Sequence, residues 1–365
     1  MSHPSPLHAS HDRVEALFTP FGEVEIVADF GSLEREYAAI RKTAGLLDCP
    51  QRGLIQLKGG DRLEFLQRLI SHDCGSLKPG EGRRALLLNG KGRIVTDMIV
   101  LEREAETWLD VDVHTVEPVM EALDHYLFAD DVQLSDETSA MHRVSLHGPE
   151  AARLAGEVAD AGDGEPAAYQ HVTLTGEARS AAYRHDETGE VGMHLWSSVG
   201  LVAEVYGRLA AQEEREGLRT VGWLAFNTAR IEAGMPIFNV DFGTDSLPHE
   251  TGMVKELVSF TKGCYVGQEI VARMESLGHP AKLLVAFGAD DDTEVVAGAP
   301  VFAESDANQA IGAVTSSTFS PLRGHTTVGL AIVKWGHHEP DTTLAAGAQS
   351  GNVRITTQGL GAPIR

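Results

Sequence analysis

Thiols and positive charge are scarce in this chain. Its 365 residues hold three cysteines, Cys49, Cys74 and Cys264, far apart and without a Cys-x-x-Cys pair. That argues against a disulfide framework and a cysteine-cage metal site. It also leaves no four-thiolate set to hold an iron–sulfur cluster within the chain itself. Lysine and arginine number 30 against 53 aspartates and glutamates, a net charge of −23. Such a surface repels phosphate backbones and anionic membranes, so direct binding to nucleic acid or membrane is not expected, although a locally basic ligand pocket remains open. No apolar run reaches membrane-spanning length and the first residues carry no apolar signal segment, so a cytoplasmic location is expected. No metal site is expected either, and His3, His8 and His11 read as solvated.

What is present is the composition of a globular protein, 42% hydrophobic and 23% charged. The length calls for two or three domains. Residues 1–17 read as a disordered tail, 18–278 as a folded region of two subdomains, and 279–365 as a small C-terminal domain, with a boundary near Gly278. Ser32 is placed to cap a helix carrying Leu33, Tyr37, Ile40 and Ala44 on one stripe, and Asp61 opens another with Leu63, Leu66, Leu69 and Ile70. Strands are predicted over Leu54–Leu57, Arg84–Leu88, Arg93–Leu101 and Trp108–Val113, with Asn89-Gly90-Lys91-Gly92 as a hairpin turn. A helix over Val116–Leu127 follows, and Glu157–Ala168 reads as a surface loop. This order points to antiparallel α+β layers and not a doubly wound sheet. Beyond Gly288 come short runs at Pro300–Phe302, Ala310–Ser316, Thr327–Val333 and Gly351–Thr356, the spacing of a small barrel or sandwich.

Two segments carry chemistry. In Lys262-Gly263-Cys264-Tyr265-Val266-Gly267-Gln268-Glu269, two glycines bracket a cysteine just before a predicted helix that opens near Glu269. Glycines so placed signal a close backbone approach or a positive φ. A thiol near a helix start and beside Lys262 is expected to ionise more readily than a free one, which makes Cys264 a reactive or ligating candidate. The alternative is a buried structural cysteine. The second segment is Ile94-Val95-Thr96-Asp97-Met98-Ile99-Val100-Leu101, a strand apolar on both faces. Alternation sets Asp97 among Val95, Ile99 and Leu101, where an ionised and unpaired carboxylate costs several kcal/mol. Asp97 must therefore be partnered, protonated or waiting for a ligand donor. Taken alone, the segment reads as a structural aspartate tied to backbone near the hairpin.

Lys-Gly-Cys-Tyr-x-Gly-Gln-Glu resembles the signature of the YgfZ family, relatives of the glycine-cleavage T-protein, an aminomethyltransferase. The resemblance implies two intertwined α+β subdomains followed by a C-terminal β-barrel. It also implies a protein that binds tetrahydrofolate or another reduced folate and supports assembly or repair of iron–sulfur clusters. Its partners would be assembly proteins and client apoproteins, and a role in tRNA modification would be indirect. The other class of function is enzymatic, a folate-dependent aminomethyl or C1 transferase. Leu88-Asn89-x-x-Gly92-x-Ile94-x-x-Asp97 is similar to the T-protein segment whose aspartate contacts folate, which implies a pterin-binding and catalytic role for Asp97. Arg230-Ile231-Glu232-Ala233-Gly234 resembles the family's Arg-x-Glu-x-Gly, so Arg230 is expected either to bind a folate carboxylate or to pair with Glu232. Thr188-Gly189-Glu190-x-Gly192 resembles a further folate-binding segment and implicates Glu190. The acid that should end that segment is replaced by His194, and Arg84 stands where relatives often have an aromatic residue. Both departures favour binding over efficient transfer. Further likeness in Phe30–Asp48, around Ser317–Pro321 and in Gly329–Val333 extends the resemblance over roughly residues 18–333.

Overall fold

A computed structural model of the chain describes residues 4–159, 165–349 and 351–364. The chain forms two compact units, one built from 1–87 and 96–227, the other from 88–95 and 228–365.

The first unit contains two sheets. One has six strands in the order His171–Leu174, Glu177–Arg184, Gly192–Ser198, Met141–His147, Gly45–Asp48 and Arg219–Val221. Its pairings are antiparallel except the last, where Arg219–Val221 runs parallel to Gly45–Asp48. The other has five strands, Gly82–Leu88, Ile94–Glu102, Glu106–Asp112, Arg52–Lys58 and Gln133–Asp136. Period-two alternation decides what each face meets. Along Met141–His147, Val144 and Leu146 point to the helices Ala151–Gly156 and Val199–Ala210, packing with Leu154, Ala155, Val202 and Leu209. Met141 faces the other way and joins Ala181, Tyr183 and Trp196 against Leu54, Ile99, Leu101 and Trp108 of the five-strand sheet. Fully burying one such aliphatic side chain contributes about 1.5–3 kcal/mol. This second core lies between the sheets, and the polar site described below grows out of the same layer.

The expected tail is folded where it is described. A short helix spans His8–Asp12, and Leu7 is 1% exposed. The physical reason is Asp48, buried on a sheet strand and in need of donors. Ser5 Oγ donates to it at 2.6 Å, and the rings of His11 and His142 reach it at 2.9 and 2.6 Å. Burial raises the Asp48 pKa, but His142 and His11 outweigh it and hold the group below the usual carboxylate range. His11 is therefore not solvated, and His8 pairs with Glu25 at 2.8 Å and stacks on Phe18. His3 lies outside the described residues, as do 160–164 of the expected loop. Within that loop, Val158 and Ala159 are buried, so it begins packed and not on the surface. The first predicted helix spans Leu33–Lys42 with Tyr37 and Ile40 inward, but Leu33 is exposed and Ser32 makes no side-chain cap. Glu36 instead fastens the helix to its surroundings, its Oε1 accepting from the Phe30 N–H at 2.8 Å and its Oε2 from the Gly222 N–H at 2.8 Å.

The second unit carries a closed barrel of six strands ordered Lys282–Ala289, Thr326–Lys334, Asp306–Ser320, Pro300–Ala303, Thr343–Ala348 and Gly351–Gln358. Pairing of Lys282–Ala289 with Gly351–Gln358 closes it and removes the sheet edges. Phe287, Val301, Val333, Leu344 and Ile355 fill its interior. The expectation of a T-protein-like α+β fold with a small C-terminal barrel holds. Residues 228–278 group with the barrel in this second unit. Among the described residues, no helix is long and apolar enough to cross a membrane.

Candidate functional site

Asp97 sits on Ile94–Glu102, a strand buried on both faces, and is 7% exposed. Its partner is Arg84, brought alongside by the neighbouring strand Gly82–Leu88 and itself 5% exposed. The guanidinium donates from Nε to Oδ1 at 3.0 Å and from Nη2 to Oδ2 at 2.5 Å. Of the three options open for Asp97, the structure supplies a bidentate partner, and that partner is the arginine that departs from the family pattern. Oδ2 accepts from both nitrogens, Nε lying 3.2 Å from it as well, and Oδ1 retains a lone pair for a further donor.

A second buried carboxylate, Asp110 on Glu106–Asp112, was not singled out from the sequence. Arg52 reaches its Oδ1 at 2.7 Å, while Arg143 and Tyr183 donate to Oδ2 at 3.0 and 2.6 Å and the Trp196 indole N–H at 2.9 Å. Burial pushes its pKa up, but Arg143, Arg52 and the Tyr183 hydroxyl prevail and hold it at about 2. Burial and the Asp110 charge push Tyr183 far above the ordinary phenol value. Around it the strand Glu-Thr-Trp-Leu-Asp-Val-Asp alternates only over Leu-Asp-Val-Asp, with Asp110 among the polar positions, so nothing local marks Asp110 as central.

Three imidazoles lie beside this network. His147 and His194 meet edge-to-face at 5.4 Å between ring centres, His194 stacks on Tyr183 at 5.0 Å, and His185 is tilted against His194 at 5.7 Å. Burial and Arg143 lower His147 to about 3. Burial, with Arg84, Arg143 and Arg52 adding, takes His185 well below its usual value, and burial with Arg143 does the same for His194. Glu187 completes the group at 3.4 Å from His194 Nε2. Burial raises its pKa against the pull of Arg143, Arg52 and Arg84.

The Thr188-Gly189-Glu190-x-Gly192 segment is the turn between the strands Glu177–Arg184 and Gly192–Ser198. Gly189 has φ +80°. Gly192 has a steric reason to be glycine, since a Cβ there would stand 2.1 Å from the His185 carbonyl oxygen. Glu190 is half-exposed and lies 3.5 Å from Arg41 Nη1, which donates to the Thr188 carbonyl at 2.6 Å. The Thr188 hydroxyl is buried without a hydrogen-bond partner.

Arg230 and Cys264 belong to the second unit. Arg230 is fully buried, with Nη1 2.5 Å from Asp241 and Nη2 donating to Ser316 Oγ at 2.7 Å. Thr315 and Ser316 donate to the other Asp241 oxygen at 2.7 and 2.6 Å. The guanidinium thus finds Asp241, a residue the sequence did not suggest, and Glu232 accepts from the Ser320 hydroxyl. Cys264 is exposed, which rules out the buried structural alternative, whereas Cys49 and Cys74 are the buried thiols. The helix Gln268–Leu277 begins four residues after Cys264, so the thiol is not at its N-terminus. Gly263 has open space around it and no positive φ, against expectation. Gly267 meets the expectation fully, with φ +80° and an added Cβ only 2.7 Å from the Asn89 carbonyl oxygen. Lys262 Nζ stands 5.3 Å over the ring of Tyr265. Tyr265 is buried, which pushes its hydroxyl up to about 12. Gln268 opens the helix and Glu269 occupies its first turn, where the helix dipole favours an acid.

Together, the α+β sheets with their buried carboxylate–guanidinium layer, and the six-strand barrel that follows them in the chain, define a chain built on the aminomethyltransferase plan. Residues 7–262 match the GCVT N-terminal domain and residues 282–360 the glycine cleavage T-protein C-terminal barrel domain, and the chain belongs to this family. It is 28% identical over 337 residues to an aminomethyltransferase of Corynebacterium aurimucosum, covering 90% of this chain and 89% of that one. An aminomethyltransferase of Deinococcus deserti is 29% identical over 338 residues, covering 91% and 89%. The crystal structure of glycine cleavage system aminomethyltransferase T from Bartonella henselae superposes with a TM-score of 0.89 over 100% of both chains at 21% identity, a likeness of fold.

Proposed function

We propose that this protein binds a reduced folate in its N-terminal region and transfers an aminomethyl or related one-carbon unit to it. The observation that carries the reading is the buried Asp97 carboxylate, the last residue of the family's Leu-Asn-x-x-Gly-x-Ile-x-x-Asp run. A reduced pterin offers ring N–H and amino donors, and Asp97 Oδ1 retains a lone pair to accept one in addition to Arg84. The orphaned Thr188 hydroxyl, two residues from Glu190, is a second polar atom suited to a ligand. Tetrahydrofolate would supply the nucleophilic nitrogen. Asp97 orients the ring and stabilises positive charge developing on nitrogen during transfer, and Glu190 holds the outer part of the ligand. Arg230, committed to Asp241, positions the barrel strand carrying Thr315 and Ser316. The aminomethyltransferases among its relatives support this reading.

A second reading is kept alive by one observation, the exposed thiol of Cys264 in a segment fastened at Gly267. In it the protein binds folate and, through Cys264, serves iron–sulfur assembly proteins and client apoproteins, with any effect on tRNA modification indirect. Calorimetric titration with tetrahydrofolate of wild type, Asp97→Asn, Glu190→Gln and Cys264→Ser tests the folate site. Affinity should fall at least tenfold for Asp97→Asn and survive in Cys264→Ser, and equal affinity in all four would remove Asp97 from the site. An aminomethyl-transfer assay then separates the readings. Turnover that persists in Cys264→Ser supports transfer, whereas absent turnover with Cys264-dependent rescue of cluster enzymes supports maintenance.

A further inference from the structure

We propose that His185, Glu187 and His194 form a binding site for one divalent transition-metal ion. One ring nitrogen from each histidine and one carboxylate oxygen of Glu187 all lie within 4.8 Å of one another. Two imidazoles and a carboxylate are the donors that zinc, iron(II) and cobalt(II) select, and three protein ligands leave a coordination position for water or substrate. A second observation points to a ligand independently. His185 Nε2 and His194 Nδ1 are both buried without a hydrogen-bond partner, a condition that native structures rarely leave uncompensated.

The local chemistry directs the lone pairs. His194 Nε2 lies 2.9 Å from the His185 carbonyl oxygen, which only accepts, so the ring proton sits on Nε2 and the lone pair on the orphaned Nδ1. Histidines that bind metal are oriented by an outer N–H···O=C bond of this kind. Gly192 keeps that carbonyl in place, since any side chain there would collide with it. The opposing effect is charge, because Arg52, Arg84 and Arg143 are close. Asp97 faces Arg84 and Asp110 is shared by Arg52 and Arg143, so two carboxylates offset part of the three guanidinium charges. Glu187 is the carboxylate that an incoming cation meets. The site does not depend on the folate reading, since all three donors belong to this chain.

The test uses the full-length protein, stripped with chelator and titrated with Co²⁺ in folate-free buffer, following visible absorption and bound metal per chain. One tightly bound ion with strong visible bands is expected, and His185→Gln and Glu187→Gln should each weaken binding at least tenfold while keeping the wild-type melting temperature. These two side chains are only partly buried, so they carry the test if His194→Gln, at a fully buried position, fails to fold. Weak, pale binding typical of surface carboxylates would overturn the proposal, as would equal affinity in wild type and folded His185→Gln. Either failure leaves the folate titration unaffected.

Discussion

Arg84 and Asp97 illustrate how a single side chain settles the meaning of another. A carboxylate on a strand apolar on both faces needs a partner, and this one has a bidentate guanidinium even more deeply buried than itself. Breaking a buried pair by removing one member strands the other charge, at about 3–5 kcal/mol. Arg84→Met should lose that much in chemical denaturation, and Arg84→Met with Asp97→Leu should recover most of it. A single-variant loss under about 1 kcal/mol would mean the pair is as solvated as a surface one. The buried histidines predict a pH response. His147 is lowered from 6.5 to about 3 by burial and Arg143, and burial lowers His185 and His194 well below their ordinary value too. In the unfolded chain they bind protons below about 6.5, and in the folded chain they do not. Stability is then complete above that pH and falls as pH drops from about 6.5 towards 3, each histidine adding up to about 1.4 kcal/mol per pH unit. Urea midpoints measured between neutral pH and about pH 4.5 should fall steeply, and less steeply in His147→Gln. A flat profile would show that these rings are protonated in the folded state.

At the scale of elements, the loop carrying Cys264 is held by Gly267 where it meets the hairpin turn of residues 89–92. Alanine at Gly267 meets both a left-handed backbone and the Asn89 carbonyl, whereas alanine at Gly263 meets open space. Gly267→Ala should cost about 1–3 kcal/mol, and Gly263→Ala less than about 0.5 kcal/mol. Thermal melts of the two variants check this, and equal effects would remove the structural reason for the second glycine of the segment. The same contrast explains what was legible. The hairpin turn and most strands beside it follow from turn residues and alternation, which act over a few positions. The barrel strands Lys282–Ala289 and Thr343–Ala348 escaped notice because Lys-Leu-Leu-Val-Ala-Phe reads equally as helix or strand, and Thr-Leu-Ala-Ala-Gly-Ala is weakly β-forming.

For the molecule as a whole, the net charge of −23 sets a self-repulsion that salt should relieve. Screening shortens from about 10 Å at 0.1 M to about 3 Å at 1 M ionic strength. The melting temperature should rise over that range in sodium chloride. A flat or falling curve would indicate that the acidic residues are balanced locally by their arginines. Packing also corrected the whole-chain reading at the N-terminus, because Leu7 and the donors to buried Asp48 tie residues read as a tail into the first unit.

The sequence by itself determined the layered α+β plan with its terminal barrel, the burial of Asp97, and the need for glycine at Gly267. Each rests on short-range periodicity or on motifs a few residues long. Tertiary structure alone decided the partners. Arg84 for Asp97, Asp241 for Arg230, four donors around Asp110, and the meeting of His185, Glu187 and His194 arise from chain reversals and sheet pairing. Which charges meet is a property of register and packing between distant segments, and no local pattern encodes it.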